Sequence, residues 1–391
     1  MRSIVLALFL AATAVVRPCA ARAVPIADRP DVHATYRAEH AGVATELGTL
    51  DGVPFRIDVP RDWGHRLVVY YHGYSLEPVR YDASAEQPWL APILARGFAV
   101  IQSAYGQTGW ALQSAIATTA QLRDYFIERH GRPKETLLVG ASMGGALAAL
   151  TIESDPAHYR GALVLCGAIA PSWELTQRQF RMLAAFAYYY PGILPPLDPV
   201  PASYAPTSAV TQRIARALAA HPHRFADLRA IWHVGTPQDM PGVIAFATAL
   251  VQRAQEQAGS NPFGNAGYVY LGTSDDAALN AGVRRYRADP AAVAELLRNY
   301  TPTGRLLRPM LELHDLADPL VPADSVEAYA DRVQRAGHAG KFIQQYVAAE
   351  GHCVFSGGQV GRAFDELTRW VNLGERPGSG LLPSRLPRVQ Q

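Results

Sequence analysis

The sequence lacks the marks of several functional classes. Its 391 residues carry a formal net charge of only +2, so the charge balance gives no indication of nucleic-acid binding. No H-E-x-x-H or similar histidine spacing predicts a metal site, and no dinucleotide-binding fingerprint is present. No apolar run after residue 23 has the length of a membrane span. We therefore expect no metal, no cofactor, no nucleic-acid partner and no stable membrane insertion of the chain beyond residue 23.

Cysteine is also scarce, and one of the three cysteines lies in a segment with the pattern of an export signal. Arg2 precedes an apolar run over residues 4–16 that is short for a membrane span, and residues 21–23 form an A-x-A cleavage site. An uncleaved anchor is the alternative. We expect residues 1–23 to be a signal peptide and the protein to be secreted or periplasmic.

What is present is the composition and the rhythm of a folded α/β domain. Hydrophobic residues make up 49% of the chain and charged residues 18%, which is ordinary for a globular protein with a sizeable core. Continuous apolar segments such as RLVVYY and ETLLVG alternate with segments of helical spacing. This alternation predicts βαβ units. Apolar runs without internal alternation predict a mostly parallel central sheet flanked by helices on both faces.

The alternation of strands and helices is interrupted once. Residues 24–171 and 308–374 carry it, whereas residues 172–307 contain several helix candidates, loops rich in proline and glycine, and no strand of the core type. We therefore predict an α/β core in two parts, with a helical cap or lid inserted after the sixth strand. Residues 375–391 lack periodicity, and we expect them to form a disordered tail.

The segment GASMG at residues 140–144 matches G-x-S-x-G between a predicted strand and a predicted helix. A strand that turns abruptly into a helix brings the residues two before and two after the corner close together. Gly140 and Gly144 suit these positions because they have no side chain. Ser142 would then project from the carboxyl edge of the sheet, which predicts a nucleophile. The alternative is a glycine-rich packing turn.

A serine hydroxyl needs a base, and an acid that orients the base. In a doubly wound sheet of this kind the order along the chain is serine, acid, histidine. The loop after a late strand offers Asp318 and Asp315, and we favour Asp318 because it lies farther out, before the turn PLVP; Glu174 is a weaker candidate. His352 follows the last strand and is the predicted base, with a histidine bonded to backbone as the alternative. His314 lies inside a strand and is expected to be structural.

Two loops are expected to complete the site. An oxyanion needs two amide donors, and we predict those of Met143, which opens the helix after the serine, and Tyr74, which follows the third predicted strand. His72 is expected to brace that loop. Tyr105 and Trp110 follow the next strand and are predicted to bind substrate at the rim of the pocket, with ordinary aromatic packing as an equal alternative.

The segments HGY, GASMGG, DLADPLVP and GHC occur in the order and spacing of the α/β-hydrolase superfamily. Within it the chain resembles secreted bacterial serine esterases and prolyl-oligopeptidase-like hydrolases, on YGQTGWAL and GHCVFS in particular. The resemblance covers nearly the whole chain except the predicted cap, and it implies a serine esterase or peptidase without a cofactor. The sequence departs from the pattern at Asp315, where many relatives carry glycine.

The two cysteines outside the predicted signal both follow core strands. Cys166 ends one strand, and Cys353 follows the predicted base, His352. Because the carboxyl ends of parallel strands meet at one edge of a sheet, we predict a disulfide that fixes the histidine loop. Two separate buried thiols are the alternative.

These residues together predict a secreted serine hydrolase that cleaves a small or polymeric carboxylic ester. Ser142 would form an acyl-enzyme, with His352 as base and Asp318 as the residue that orients it. A peptidase of prolyl-oligopeptidase type is the first alternative, although no β-propeller precedes the core. An acyltransferase would use the same residues, and a binding role without catalysis is disfavoured.

Overall fold

The computed structural model describes residues 31–84, 88–232, 238–299 and 301–382. The predicted signal peptide lies outside these residues, as do the last nine residues of the predicted tail. Within the described residues, no helix combines the length and apolar character that a membrane span requires.

A single sheet of ten strands forms the centre of the molecule, in the spatial order β1-β2-β3-β5-β4-β6-β7-β8-β9-β10. The strands are β1 (Val32–His40), β2 (Val43–Leu50), β3 (Val53–Pro60), β4 (Arg66–Tyr71), β5 (Phe98–Ser103), β6 (Glu135–Ala141), β7 (Gly161–Leu165), β8 (Met310–Ala317), β9 (Phe342–Glu350) and β10 (Gly380–Leu381).

The strand directions divide the sheet into two parts. The pairs β1 with β2, β2 with β3 and β3 with β5 are antiparallel. From β5 and β4 through β6 to β10, all pairs are parallel. The predicted α/β-hydrolase fold is therefore confirmed, and the carboxyl ends of seven parallel strands lie along one edge.

Helices cover both faces of the sheet. They are α1 (Ala91–Leu94), α2 (Leu112–His130), α3 (Met143–Ser154), α10 (Ala323–Arg335) and α11 (Gly357–Leu373). Successive side chains of a strand point to opposite faces, and along β4 Leu67 and Val69 pack with α2 and α3 while Val68 packs with α1 and α11. This two-sided burial explains why the parallel strands are apolar throughout.

A second layer of helices lies between β7 and β8 in the chain. It comprises α4 (Ser172–Tyr189), α5 (Ser208–Ala220), α6 (Pro222–Trp232), α7 (Met240–Ala258), α8 (Asp276–Gly282) and α9 (Pro290–Asn299). These helices have an apolar core of their own, which includes Phe180, Trp232 and Val251. The described part of residues 172–307 contains no strand.

Two details of the prediction are wrong. The helical insertion follows the seventh strand instead of the sixth, because the segment Val32–His40 forms an additional strand, β1. This segment is polar and is held by backbone pairing with β2, so a search for apolar periodicity does not find it. Part of the predicted disordered tail is also structured, since Gly380 and Leu381 pair with Gln345 and Tyr346 of β9.

Candidate active site

Ser142 lies at the corner between β6 and α3 in a backbone conformation that is rare for a residue with a side chain. Its φ is 58° and its ψ is −121°, and such a conformation persists where the surrounding structure enforces it. A Cβ added to Gly140 would lie 2.0 Å from the carbonyl oxygen of Gly144. The sharp corner therefore requires glycine at residue 140, as predicted.

The backbone of Ser142 is fixed by the neighbouring strand. Its N–H donates to the carbonyl of Leu165 over 2.9 Å, and its carbonyl accepts from the N–H of Ala168 over 2.9 Å. Leu165 ends β7 and Ala168 lies in the loop that follows it, beside the corner. The hydroxyl is thus held at the carboxyl edge of the parallel strands by contacts that do not involve the side chain itself.

The predicted base contacts both of its predicted partners. Nε2 of His352 lies 2.8 Å from Oγ of Ser142, and Nδ1 lies 2.6 Å from Oδ2 of Asp318. A carboxylate accepts hydrogen bonds, so Nδ1 carries the proton and Nε2 is left to accept from the serine hydroxyl. This is the arrangement in which a histidine can take a proton from a serine.

Asp318 is fully buried, and backbone amides satisfy its second oxygen. Oδ1 accepts from the N–H of Leu320 over 2.8 Å and from that of Val321 over 2.9 Å. Hydrogen bonds to an ionised group are among the stronger ones in proteins. The carboxylate is therefore held in one orientation, with Oδ2 directed to His352.

The two other candidate acids have different partners. Oδ2 of Asp315 accepts from the N–H of Val354 over 3.1 Å, and burial raises the pKa of this carboxyl to about 6. Glu174 is exposed and lies 3.6 Å from Arg332. The structure thus places Asp318 beside the imidazole of His352, while Asp315 supports the backbone of the loop that follows His352.

The two predicted oxyanion residues lie on either side of Ser142. Met143 is the first residue of α3, where backbone N–H groups lack partners within the helix. Gly73 packs directly on the serine, since a Cβ added there would lie 3.3 Å from Cβ of Ser142. Tyr74 follows, and it lines the same cavity as Met143 and Ser142. Their role as donors stays a prediction.

Tyr105 is absent from the described lining of the cavity beside Ser142, so the structure favours aromatic packing, the alternative to the predicted substrate contact. Its ring is buried, stacks on the imidazole of His72 at a centroid distance of 3.8 Å, and donates from its hydroxyl to the carbonyl of His72 over 2.9 Å. His72 in turn lies 2.7 Å, through Nδ1, from the carbonyl of Gly73, and burial lowers its pKa to about 4. The backbone of Tyr105 has a positive φ of 66°, and its side chain lies behind the loop of His72 and Gly73 that it supports.

A narrow apolar cavity of about 40 Å³ opens beside the serine hydroxyl. The core contributes Tyr74 and Trp110 to its wall, so the placement of Trp110 agrees with the prediction. The roof comes from the helical insertion, with Leu175, Thr176, Gln179, Phe246 and Leu250. Among the described residues that line it there is no Asp, Glu, Lys or Arg.

Cys166 and Cys353 form a disulfide, as predicted, with their Cα atoms 5.3 Å apart. It joins the residue after β7 to the residue after His352, and Sγ of Cys353 lies 3.5 Å from Nε2 of that histidine. A search of the described residues for metal-binding clusters finds these two cysteines with His352. Since both sulfurs are in the disulfide, no thiolate is available there as a ligand.

The structure shows a buried acid, Glu312, that the sequence argument missed, and pairs it with His314, which was expected to be structural. Glu312 and His314 of β8 are both fully buried, with Nδ1 of the histidine 2.9 Å from Oε1 of the glutamate. Burial raises the pKa of Glu312. Burial alone would lower the pKa of His314, but the hydrogen bond and charge of Glu312, together with the charge of Asp318, raise it. An acid inside an otherwise apolar strand was the available signal. The roof residues gave no such signal, because they look like the apolar face of any helix.

The chain is similar to a tannase-like family of unknown function, whose sequence model matches residues 52–181. That segment, about a third of the chain, contains Ser142 and both predicted oxyanion residues. Over 424 aligned residues the chain is 22% identical to an o-phthalyl amidase of Xanthobacter agilis, and the alignment covers 90% of this chain and 91% of the amidase.

Solved structures with a similar fold include a feruloyl esterase and Est1E. Feruloyl esterase B from Aspergillus oryzae matches with a TM-score of 0.49 and 14% identity, covering 92% of this chain and 91% of the esterase. Est1E from Butyrivibrio proteoclasticus matches with a TM-score of 0.43 and 12% identity, covering 84% of this chain and 98% of its own.

Proposed function

We propose that this chain, which has the α/β-hydrolase fold, is a serine hydrolase that cleaves carboxylic esters. The observation that carries the proposal is the hydrogen-bonded series of Ser142, His352 and Asp318 at the mouth of an apolar cavity. A strained serine, a base within hydrogen-bond reach and a buried acid that orients the base are what acyl transfer to serine needs.

The reaction has two steps, acylation of Ser142 and hydrolysis of the acyl-enzyme, and His352 transfers the proton in both. Oγ of Ser142 attacks the ester carbonyl while Nε2 of His352 takes the hydroxyl proton, and the imidazolium gives that proton to the leaving alcohol. The acyl group is then bonded to the serine. Water attacks it with His352 again as base, the acid leaves, and the proton returns to the serine oxygen.

The negative charge that develops on the substrate oxygen is held by the amides of Met143 and Tyr74. Support for this assignment comes from the start of α3 at Met143 and from the close packing of Gly73 on Ser142. Fixed amide donors at such a position stabilise the tetrahedral intermediate more than the ground state.

The acyl group that the site accepts is short and uncharged. The cavity of about 40 Å³ is small beside the roughly 300–1,000 Å³ of sites for drug-sized ligands. Among the described residues that line it there is no Lys or Arg to pair with a carboxylate, and burying an unpaired charge is costly. We therefore expect esters of small neutral acids as the preferred substrates.

Amide hydrolysis is the second candidate, and the similarity to an o-phthalyl amidase along nearly the full chain favours it. The same serine and base would serve, with proton transfer to a leaving amine. A nitrophenyl ester and a nitroanilide that share one acyl group discriminate between the two, because the ratio of their kcat/KM values reports the leaving group alone.

Export from the cytoplasm is part of the proposal. It rests on the export pattern of residues 1–23 and on the disulfide between Cys166 and Cys353, since disulfides persist mainly in oxidising compartments. Amino-terminal sequencing of the protein from the culture medium or the periplasm should find the chain starting at Val24.

The decisive experiment compares wild type with Ser142→Ala on nitrophenyl acetate and butyrate. Wild type should hydrolyse both, and the variant should lose about a thousandfold or more of kcat/KM. Ser142→Ala should melt at the same temperature as wild type. Equal activities of the two proteins, or no activity in wild type, would contradict the proposal.

A further inference from the structure

Two ionisable side chains lie under the site without touching any atom of the proposed reaction. Glu312 and His314 are two residues apart on β8, so both point to the same face of the sheet, and both are fully buried. Charged side chains are rarely buried unless they are paired. A fully buried pair next to the strand end that bears Asp318 therefore needs an explanation.

The hydrogen bonds of the pair connect two segments of the site. Oε1 of Glu312 accepts from the N–H of Gly167 over 2.9 Å, directly after Cys166 at the end of β7. Nε2 of His314 donates to the carbonyl of Val321 over 2.7 Å. Val321 is the residue whose N–H binds Oδ1 of Asp318.

The number of protons in the pair follows from these partners. A carbonyl oxygen only accepts, so Nε2 of His314 carries a proton. The 2.9 Å contact between Nδ1 and Oε1 of Glu312 then requires one more proton, on the nitrogen or on the oxygen. In either form the pair has no net charge, which allows full burial without a counter-ion.

We propose that Glu312 and His314 are positioning residues for the proposed hydrolysis, which hold the turn of Asp318 through the carbonyl of Val321. In this role His314 fixes the position of Val321, and Val321 fixes the carboxylate that orients His352. Glu312 fixes the ring of His314 and anchors it to the backbone at Gly167.

The disulfide links the same region after β7 to the loop that carries His352. Gly167 follows Cys166, whose sulfur is bonded to Cys353, the neighbour of His352. The acid loop and the histidine loop are thus tied to the same point at the end of β7, one by hydrogen bonds and the other by a covalent bond. Both ties restrain the distance between Asp318 and His352.

The expected effect is on kcat with little change in KM. Glu312 and His314 do not line the cavity, although Val321 does, so we expect substrate binding to change much less than kcat. A displacement of about 1 Å in a reacting group can cost on the order of a hundredfold in rate. A purely structural pair would instead change the melting temperature, with kcat following the folded fraction.

The test compares two double variants that differ by one methylene group. Glu312→Gln removes the ionisable carboxyl from both variants. In that background His314→Gln places an amide donor near Val321, while His314→Asn is too short to reach. The glutamine variant should keep kcat to within about fivefold, and the asparagine variant should lose about 10- to 100-fold at a KM within about twofold of wild type. Equal kcat values in the two folded proteins would overturn the assignment.

A third variant covers the case in which the asparagine protein does not fold. Glu312→Leu with His314→Phe replaces the pair by apolar groups of similar volume, an exchange that often leaves stability intact. The folded protein should show the same loss of kcat, because the donor to Val321 is gone. Wild-type kcat in this variant would also overturn the assignment.

A second readout separates this inference from the proposed ester substrate. The rate at which a fluorophosphonate labels Ser142 depends on His352 and Asp318 but on no ester. If wild type is labelled yet hydrolyses none of the esters, the ester proposal fails, and the labelling rates of the same variants still decide whether the pair positions the acid. Equal labelling rates would then overturn the assignment.

Discussion

The carboxyl groups of Asp315 and Asp318 both contact the loop that carries His352, but they contact different parts of it. Oδ2 of Asp318 lies 2.6 Å from Nδ1 of the imidazole, whereas Oδ2 of Asp315 accepts from the N–H of Val354 over 3.1 Å. One acid faces the ring and the other faces the backbone. The two positions therefore make separable predictions.

Asparagine at each position should separate the two roles. Asp318→Asn keeps the shape of the side chain but no longer favours a proton on Nδ1 of His352, so kcat should fall by about 10²- to 10⁴-fold. Asp315→Asn can still accept from Val354, and kcat should stay within about threefold of wild type. Steady-state kinetics on nitrophenyl acetate measures both. A loss in Asp315→Asn as large as that in Asp318→Asn would reverse the assignment of the acid.

The stability of the protein should depend on pH through Asp315. Burial raises the pKa of this carboxyl from 3.8 to about 6, so the folded state binds the proton more tightly than the unfolded chain does. Its contribution to stability is fully present below pH 3.8 and is lost as the pH rises through about 6. Within the described residues its Oδ1 is buried without a hydrogen-bond partner, which fits an unfavourable environment for the charged form.

Asp315→Asn should remove that pH dependence. At about pH 8 the variant should be more stable than wild type by about 1–2 kcal/mol, after the cost of burying an amide N–H is subtracted from the cost of burying the charge. At about pH 4 the two proteins should differ little. Denaturant unfolding at both pH values tests this, with Asp331→Asn on the surface of α10 as the control. A gain that is the same at both pH values would show that Asp315 is not the titrating group.

The sequence was sufficient for the parts of the site that have a local signature. The corner at Ser142 could be predicted because it needs glycine at residue 140, and the order of acid and base follows from the order of the strands. The choice of Asp318 over Asp315 depended on the distance of each from the strand end. The disulfide followed from the same reasoning, since Cys166 comes directly after β7 and Cys353 lies in the loop that follows β9.

The remaining features depend on contacts between distant segments. The sequence places Tyr105 in the loop after a core strand, but the direction of its ring depends on stacking against His72. The spacing of residues along the chain does not reveal that contact. The roof of the cavity comes from helices whose placement depends on their own apolar core and on contacts with the sheet domain, in which Leu175 and Leu250 take part. The role of Glu312 requires knowledge that Gly167, which is 145 residues away, lies beside it.

The disulfide should contribute both to stability and to rate. Cys166 and Cys353 are 187 residues apart in sequence, and a bond that closes so long a loop restricts the unfolded chain, typically by about 2–4 kcal/mol. Replacing both by alanine should lower the midpoint of denaturation. Because His352 loses a covalent restraint on its loop, kcat should also fall, by about tenfold.

The matched control for the disulfide is chemical. Wild type treated with a thiol reductant under mild denaturation should approach the kinetics of the Cys166→Ala/Cys353→Ala variant, and the variant itself should not respond to the reductant. Unchanged kcat in a variant that is less stable would assign the disulfide a role in stability alone.

The roof of the cavity should set the length of the acyl group. Phe246 of α7 contacts the ring of Tyr74 edge-on at a centroid distance of 5.8 Å, and both residues line the cavity. Phe246→Ala enlarges this space, so the ratio of kcat/KM for nitrophenyl octanoate to that for the acetate should rise by about tenfold or more. Leu271→Ala is the control, because Leu271 is 66% exposed on the helical insertion and is absent from the described lining of the cavity. If the ratio stays constant in Phe246→Ala, the acyl group does not occupy this cavity.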